Sequence, residues 1–536
     1  MAETIIEQVE HCLDKKVNFL LSGGAGSGKT YTLIQTLNHI FQSNNKARVA
    51  CITYTNVAAN EIKERSPYSK LRVSTIHDFL WDETKDYQKN LKQSVVALIN
   101  AEIEIKGSGI SYSGDNELTV GSLKQIEYQN YRNLEKGIIS HDDVLKIASH
   151  MYNTYPLLSK ILCDKYDYIF VDEYQDTNPM VISIFLDYIK MYANGKLCVG
   201  FFGDKMQSIY ETGVGNIQKY VDSGYVHEII KEDNYRCSQN VIKVLNNIRN
   251  DFNQNPAKRK ADGTLENKQG SAKFICSSRE FDLQDFRTSQ YVEDWNFEDS
   301  SDTKILFLTH KLSAIRLGFA ELLASYKYSD NLIGNEPDYF ASQLLKIGGI
   351  LYYYNRNNFA YVISEIQCKI RTNADKKRVS NNLTTLCNNL STSTIEDVIN
   401  GFDTNKLIRK DDRFTNYVEK NSEEYEKIKI LPASQILAYF QYYNDFSPYS
   451  TQHGIKGAEF ENVLVIMDNG RWNNYNFKYY FEKTSGKEKI IERTERIFYV
   501  SCSRAMNNLV VYYPDATPTI IQQAKKLFGD ENVYSY

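Results

Sequence analysis

No stretch of this sequence approaches the roughly 18 consecutive apolar residues that a membrane-spanning helix requires. The opening residues, MAETIIEQVEHCLDKK, are acidic and lack the apolar core of a signal peptide, so the expected location is the cytoplasm, with no membrane partner. Nine cysteines are scattered without a CxxC pair or a cysteine–histidine cluster. That argues against zinc, an iron–sulfur cluster or a disulfide framework. Basic charge is not in excess either: the formal net charge is −4. Any nucleic-acid contact must therefore come from a local groove rather than a basic surface overall. No solenoid-type repeat is visible. What is present is a 536-residue chain, 42% hydrophobic and 24% charged, too long for one core and sized for three or four domains.

The first organised unit is VNFLLSGGAGSGKTYTLIQTLNHIF, in which an apolar run (17–22) enters a glycine-rich turn followed by helical spacing (30–41). Strand, glycine loop and helix in that order are the context of a phosphate loop. Buried strands are predicted at 47–55, 71–77, 167–173 and 196–204. Their near-continuous apolar character suits a parallel sheet covered on both faces. A second set, at 226–230, 271–277, 303–310, 462–468 and 508–513, predicts a second α/β lobe. Two interruptions carry no chemical motif, at 82–140 and about 326–435, the latter with helical spacing and an aromatic patch, LYYYNRNNFAYV. The polar stretch 250–270 reads as a loop or linker.

Residues Gly23, Gly24, Ala25, Gly26, Ser27, Gly28, Lys29 and Thr30 match G-x-x-x-x-G-K-[ST] in full. Glycines let backbone N–H groups close around phosphate oxygens, and the helix N-terminus adds positive potential. Lys29 would neutralise the β- and γ-phosphates of ATP and Thr30 would ligate Mg²⁺. About 140 residues later, YIFVDEYQDT ends an apolar strand in two acids. Asp172 would hold Mg²⁺ and Glu173 would act as general base. Paired acids at a strand end are often plain surface charge; the phosphate loop is what favours the catalytic reading.

With these blocks in view the chain resembles the UvrD/Rep/PcrA-like DNA helicases of superfamily 1. DEYQDT resembles the family's DExxQD box, and TYTNVAANEI (53–62), VSTIH (73–77), GDKMQSIY (203–210), NYRCS (234–238), TQHGIKGAEF (451–460) and FYVSCSRAMNNLVV (498–511) resemble further family blocks in the family's order. The resemblance implies an α/β fold of two RecA-like lobes, each interrupted by a mainly helical accessory insertion. It places the first lobe at 1–81 and 141–225, with its insertion at 82–140. The second lobe is placed at 226–325 and 436–536, with a reduced insertion at 326–435. It also implies that Gln8 reads adenine, Tyr235 stacks on it, Glu459 meets the ribose and Gly457 belongs to the nucleotide site. Gln207 would sense the γ-phosphate, and Arg236 and Arg504 would reach it from the second lobe. Tyr54, Thr55, Asn56, His77, Tyr210 and His453 would line a track for single-stranded DNA.

The implied activity is ATP-dependent, 3′-to-5′ movement on single-stranded or tailed duplex DNA. One departure bears on it: after Q-S-I-Y the chain reads ETGVGN, with Thr212 where the family has an aromatic and Gly213 where it has arginine. That loss bears on processive unwinding, not on hydrolysis. Compact chains of this kind also occur beside an OLD-type nuclease in Gabija-type anti-phage systems, so a nucleotide- and DNA-sensing subunit controlling a partner nuclease stands as the alternative. RWNNYNFKYYF (471–481) reads as a base-stacking surface or, in a tyrosine-rich chain, as ordinary packing. An RNA-directed motor fits the motif set less well, and a plain P-loop kinase explains neither TQHGIKGAEF nor YVSCSRA.

Overall fold

The computed structural model describes residues 3–114, 117–257, 268–470 and 472–536. Much of the stretch read as a linker, 258–267, and Arg471 of the aromatic tract lie outside the described residues. The chain divides into two compact units, the first comprising Met1–Gln269 with Arg496–Ser503 and the second Gly270–Glu495 with Arg504–Tyr536.

The first unit is built on six strands: β1 (Phe19–Gly23), β2 (Val49–Thr53), β3 (Leu71–Thr75), β4 (Tyr168–Asp172), β5 (Cys198–Gly203) and β6 (His227–Lys231). They pair in the order β3-β2-β4-β5-β1-β6, every pair parallel. Successive side chains of a strand face opposite sides, and the strands show it: Phe19 and Leu21 join one buried cluster while Leu20 joins another. Both faces are covered, which is why these runs are apolar without alternation. Gly200 supplies a flat spot in β5, where a Cβ would come within 2.5 Å of the Phe19 ring. That space lets Phe202 pack edge to face on Phe19 and Phe170, with Phe19 and Phe170 tilted on each other, at centroid distances of 5.7–6.2 Å. The run at 226–230, read with the second lobe, is instead β6, hydrogen-bonded beside β1 in this first sheet. Strand pairing overrode its place in the sequence. Within 82–140 the helix Gln88–Glu104 sends Leu91, Val95, Leu98 and Ile99 into the first unit's own cluster, so this insertion shares that core.

The second unit repeats the plan with β7 (Ser271–Ser277), β8 (Thr303–Phe307), β9 (Tyr449–Thr451), β10 (Phe460–Ile466), β11 (Ala505–Pro514) and β12 (Val533–Ser535). Their order is β9-β8-β10-β11-β7-β12, again all parallel and, strand for strand, the arrangement of the first sheet. The two three-residue strands at the edges, β9 and β12, are too short to announce themselves by periodicity. Between β8 and β9 a run of helices from Tyr339–Asn355 to Ser434–Tyr443 forms its own cluster, separate from the one on the sheet. Gly348 is the contact point, where a Cβ would sit 2.6 Å from Phe440 Cβ. The aromatic patch is packing: Tyr352 stacks on Phe446 at 5.1 Å and Tyr353 meets Tyr361 at 4.2 Å.

Candidate nucleotide and nucleic-acid sites

The phosphate loop joins β1 to the helix Lys29–Ser43. Gly26 (φ 76°) and Gly28 (φ 75°) adopt left-handed backbone that other residues enter only at a cost. Lys29 is buried, and its Nζ donates to the carbonyls of Gly23 (3.0 Å) and Gly24 (3.4 Å). Neutral carbonyls are weaker partners for an ammonium than the anionic oxygens of a phosphate would be. Among the described residues the buried Ser27 Oγ has no hydrogen-bond partner, an orphan that a polar ligand in the loop would satisfy. The donor set therefore fits a nucleotide phosphate.

The paired acids stand at the end of β4, beside β2 and β5. Asp172 is buried and its carboxyl is pushed up, chiefly by burial and then by the charge of Glu173, while Lys29 pulls it down. A divalent cation would supply the charge that this buried carboxylate lacks, and Thr30, second residue of the following helix, is the other oxygen of the proposed pair. Glu173 is held at φ 49°, ψ 48°. A left-handed carboxylate residue costs about 1–2 kcal/mol, and strain of this kind concentrates at functional sites. Gln175 fixes its side chain, donating from Nε2 to Glu173 Oε2 at 2.5 Å while its Oε1 accepts from the Asp204 amide at 3.1 Å. Gln207 donates from Nε2 to Asp204 Oδ2 at 3.2 Å. A continuous chain of hydrogen bonds thus runs from the expected base to the expected γ-phosphate sensor. Gln175 was missed as a positioning residue, although it is the Q of DEYQDT.

The NYR block is folded against the loop. Asn234 Nδ2 donates to Ala25 O (3.0 Å), Tyr235 N donates to Gly26 O (2.8 Å), and a Cβ on Gly28 would meet the Tyr235 ring at 3.8 Å. Arg236 Nη1 donates to Ser503 O at 3.5 Å. Arg236, expected in the second lobe, belongs to the first compact unit because its segment is anchored on this loop. Gln8 lies in the helix Ile5–Asp14, its amide donating to Glu3 O at 3.2 Å. In the second unit Arg504 is buried and donates to Ala458 O at 3.2 Å, next to Gly457 (φ 91°) and an exposed Glu459.

Of the expected DNA residues, Tyr54 and Tyr210 come together, rings 5.8 Å apart and 16° from parallel, with 44% and 37% of each residue exposed. Thr55 caps the helix Asn56–Arg65 by accepting from the Ala58 amide, and Asn56 opens that helix on the surface. The reading of 71–77 as one strand is corrected: β3 ends at Thr75, whose hydroxyl caps a helix Ile76–Thr84 that contains His77. His77 stacks on His141 at 3.3 Å. Burial, and then the neighbouring imidazole, pushes its pKa down to about 3, so it is neutral at physiological pH. In the second unit His453 donates to or accepts from Tyr475 OH at 2.8 Å, and burial followed by His310 takes its pKa down to about 4. It lines a cavity of about 640 Å³ with His310, Lys311 and the partly exposed Trp472. In the rest of the aromatic tract Tyr475, Phe477, Tyr480 and Phe481 are core and Tyr479 is half-buried.

The ETGVGN departure has a structural reason. A Cβ on Gly213 would lie 2.4 Å from the carbonyl oxygen of Gln175, and Val214 N and Gly215 N donate to Thr177 O (2.8 Å) and Gln175 O (3.1 Å). The segment is pressed flat on the DEYQDT turn, leaving no room for a side chain. Gly213→Ala is expected to cost about 1–3 kcal/mol, read as a lowered urea midpoint; an unchanged midpoint would mean the turn shifts freely.

Phosphate loop, buried acids on a parallel sheet, the Gln175–Asp204–Gln207 linkage and a second sheet of identical strand order are the features expected of a UvrD-like ATPase of the superfamily 1 helicase class. Comparison with known proteins agrees. A family model described as an AAA domain matches residues 6–213. The chain is 29% identical to the Gabija protein GajB of Bacillus cereus (strain HuB5-5), over 98% of this chain and 97% of that protein. It is 27% identical to the ATP-dependent DNA helicase PcrA of Bacillus subtilis (strain 168), over 44% of this chain and 38% of that protein. It is 26% identical to the ATP-dependent DNA helicase Rep of Buchnera aphidicola subsp. Baizongia pistaciae, over 42% and 40% respectively. The chain is thus similar to UvrD-like superfamily 1 helicases over part of its length and to the Gabija protein over nearly all of it. Among the described residues no helix is long and apolar enough to cross a membrane.

Proposed function

We propose that this protein hydrolyses ATP with Mg²⁺ when bound to single-stranded DNA and moves 3′ to 5′ along it. The observation that carries the reading is the hydrogen-bond chain from Glu173 through Gln175 and Asp204 to Gln207. It connects the expected base to the expected sensor in one rigid path. Gly23 to Thr30 would hold the phosphates, Gln8 and Tyr235 the base, and Gly457 and Glu459 the sugar side. Asp172 and Thr30 would hold Mg²⁺, which supplies charge neutralisation between phosphate oxygens. Glu173 would take the proton of the attacking water, while Lys29, Arg236 and Arg504 would balance charge as the terminal phosphate leaves. Tyr54, Thr55, Asn56, His77, Tyr210 and His453 would form the strand's track, the neutral imidazoles acting through their faces and ring nitrogens rather than through charge.

The second reading is a DNA- and nucleotide-sensing subunit that regulates a partner nuclease, of OLD type by the resemblance, in anti-phage defence. The flattened ETGVGN segment favours it, because Gly213 leaves no place for the arginine that the family has there. Full-length likeness to a Gabija protein favours it too. ATP hydrolysis with and without single-stranded DNA, run beside strand displacement on a 3′-tailed duplex, separates the two. Stimulated hydrolysis with displacement supports the motor; stimulation without displacement supports the sensor; no hydrolysis in either condition overturns both.

The exposed Tyr54–Tyr210 pair makes a sharper demand. A base stacked on such rings is worth about 1–3 kcal/mol, so Tyr54→Ala is expected to weaken single-strand binding about tenfold in fluorescence anisotropy. An unaltered affinity would move the track elsewhere.

A further inference from the structure

Arg249 ends the helix Gln239–Ile248 and is fully buried as a side chain. Its guanidinium bridges three groups: Nη2 donates to Asp204 Oδ1 (3.3 Å), Nε and Nη2 donate to Asp251 (2.8 and 3.1 Å), and Nη1 donates to Tyr499 OH (2.9 Å). It also lies 3.6 Å from the centre of the Phe252 ring. Burial works against the charge, but Asp204, Tyr499 and Asp251 more than offset it, so the arginine stays cationic.

From Tyr499 the network continues into the phosphate loop. The hydroxyl accepts from Ala25 N (3.2 Å) and donates to Gln254 Oε1 (3.3 Å), and Gln254 Nε2 donates to Ala25 O (3.1 Å). Both backbone polar groups of Ala25 are therefore held from outside the loop. The fit is close: a Cβ on Gly24 would come within 2.2 Å of Gln254 Nε2 and 2.6 Å of Arg249 Nη1. At its other end the network meets Asp204, whose second oxygen receives Gln207. Buried ion-pair networks add little net stability over apolar packing but fix geometry closely.

We infer that Arg249 and Tyr499 are positioning residues for ATP turnover, tying the phosphate loop at Ala25 to the Asp204 carboxylate that orients Gln207. The inference rests on the reading of that loop and Gln207 as the ATP site. Neither residue touches the nucleotide in this scheme; each acts through the groups it holds.

Tyr499→Phe tests it, because the ring is kept and only the hydroxyl goes. Turnover is measured across ATP concentrations with saturating single-stranded DNA, beside binding of a fluorescent ATP analogue with Mg²⁺ and the melting temperature. The expected result is a KM for ATP and an analogue Kd both raised about tenfold, the fold-change of one lost hydrogen bond, with cooperative melting retained. Arg249→Lys, which keeps the charge but loses the fork, is expected to lower kcat more than it raises KM, since it acts through Asp204 on Gln207. Wild-type KM, kcat and Kd in Tyr499→Phe, or a lowered melting temperature with those constants unchanged, would show a merely structural role and overturn the inference. Should Tyr499→Phe fail to fold, Gln254→Met removes the amide that meets Ala25 and carries the same criterion. A wild-type protein that neither binds nor hydrolyses ATP would remove the underlying reading as well, an outcome distinct from an active wild type with an indifferent variant.

Discussion

Glu173→Gln is expected to lower ATP turnover by about 10³-fold, within the range for loss of a general base, while leaving ATP binding in place. The substitution keeps length and shape, and an amide oxygen can still accept from Gln175 Nε2, which now meets Glu173 Oε2 at 2.5 Å. What it removes is the ability to take a proton. A second substitution separates chemistry from strain. Glu173 sits in left-handed backbone, costing about 1–2 kcal/mol, which glycine relieves. Glycine adds about 0.5–1 kcal/mol of unfolded-chain freedom in return. Glu173→Gly is thus expected to be no less stable than the wild type, yet equally inactive. Measured hydrolysis beside analogue binding decides: near-normal turnover in Glu173→Gln would sink the assigned base, and lost binding would move the residue into the nucleotide contact set.

Lys29→Ala is expected to be as severe, for a different reason. The residue is 8% exposed, and its ammonium donates to the carbonyls of Gly23 and Gly24 while its charge also acts on Asp172. Truncating a buried charge that pairs with phosphate removes about 2–5 kcal/mol of binding, so ATP affinity should fall by about 10²-fold and turnover by at least that much. Folding suffers less, because alanine also removes the cost of burying an ammonium. Lys29→Arg keeps the charge but not the compact point donor, and a Cβ added at Gly23 would already lie 3.2 Å from Lys29 Cγ, so the loop offers little room. It is expected to fail as well. Calorimetric titration with ATP and Mg²⁺ checks both variants, and wild-type affinity in Lys29→Ala would remove the loop from the binding reading.

Most of the parallel-sheet architecture was legible because a strand buried on both faces leaves an apolar run with no alternation. Thus β1, β2, β4, β5 and β7 stand within a residue or two of where the sequence puts them. His77 was misplaced for a local reason: Thr75 is a good cap, and capping by its hydroxyl won over the strand pattern. The strand at 227–231 was assigned to the wrong lobe because its pairing partner, β1, lies some 200 residues earlier, a distance at which local pattern carries no information. Arg249 was invisible for a related reason. A lone arginine at a helix end ordinarily faces water, and only the folded chain brings Asp204, Asp251 and Tyr499 around it.

By itself the sequence determined the phosphate loop, the paired acids and the order of the motif blocks. Each is a short run whose chemistry is set by neighbouring residues and whose strand–loop–helix context is written beside it. Only the tertiary structure decided that Gln175 and Asp204 link the base to Gln207, that Gly213 leaves no room for an arginine, and that Tyr499 holds Ala25 from 474 positions away. Those relations are contacts between distant segments. They depend on strand order and side-chain direction across a sheet, which no local pattern encodes.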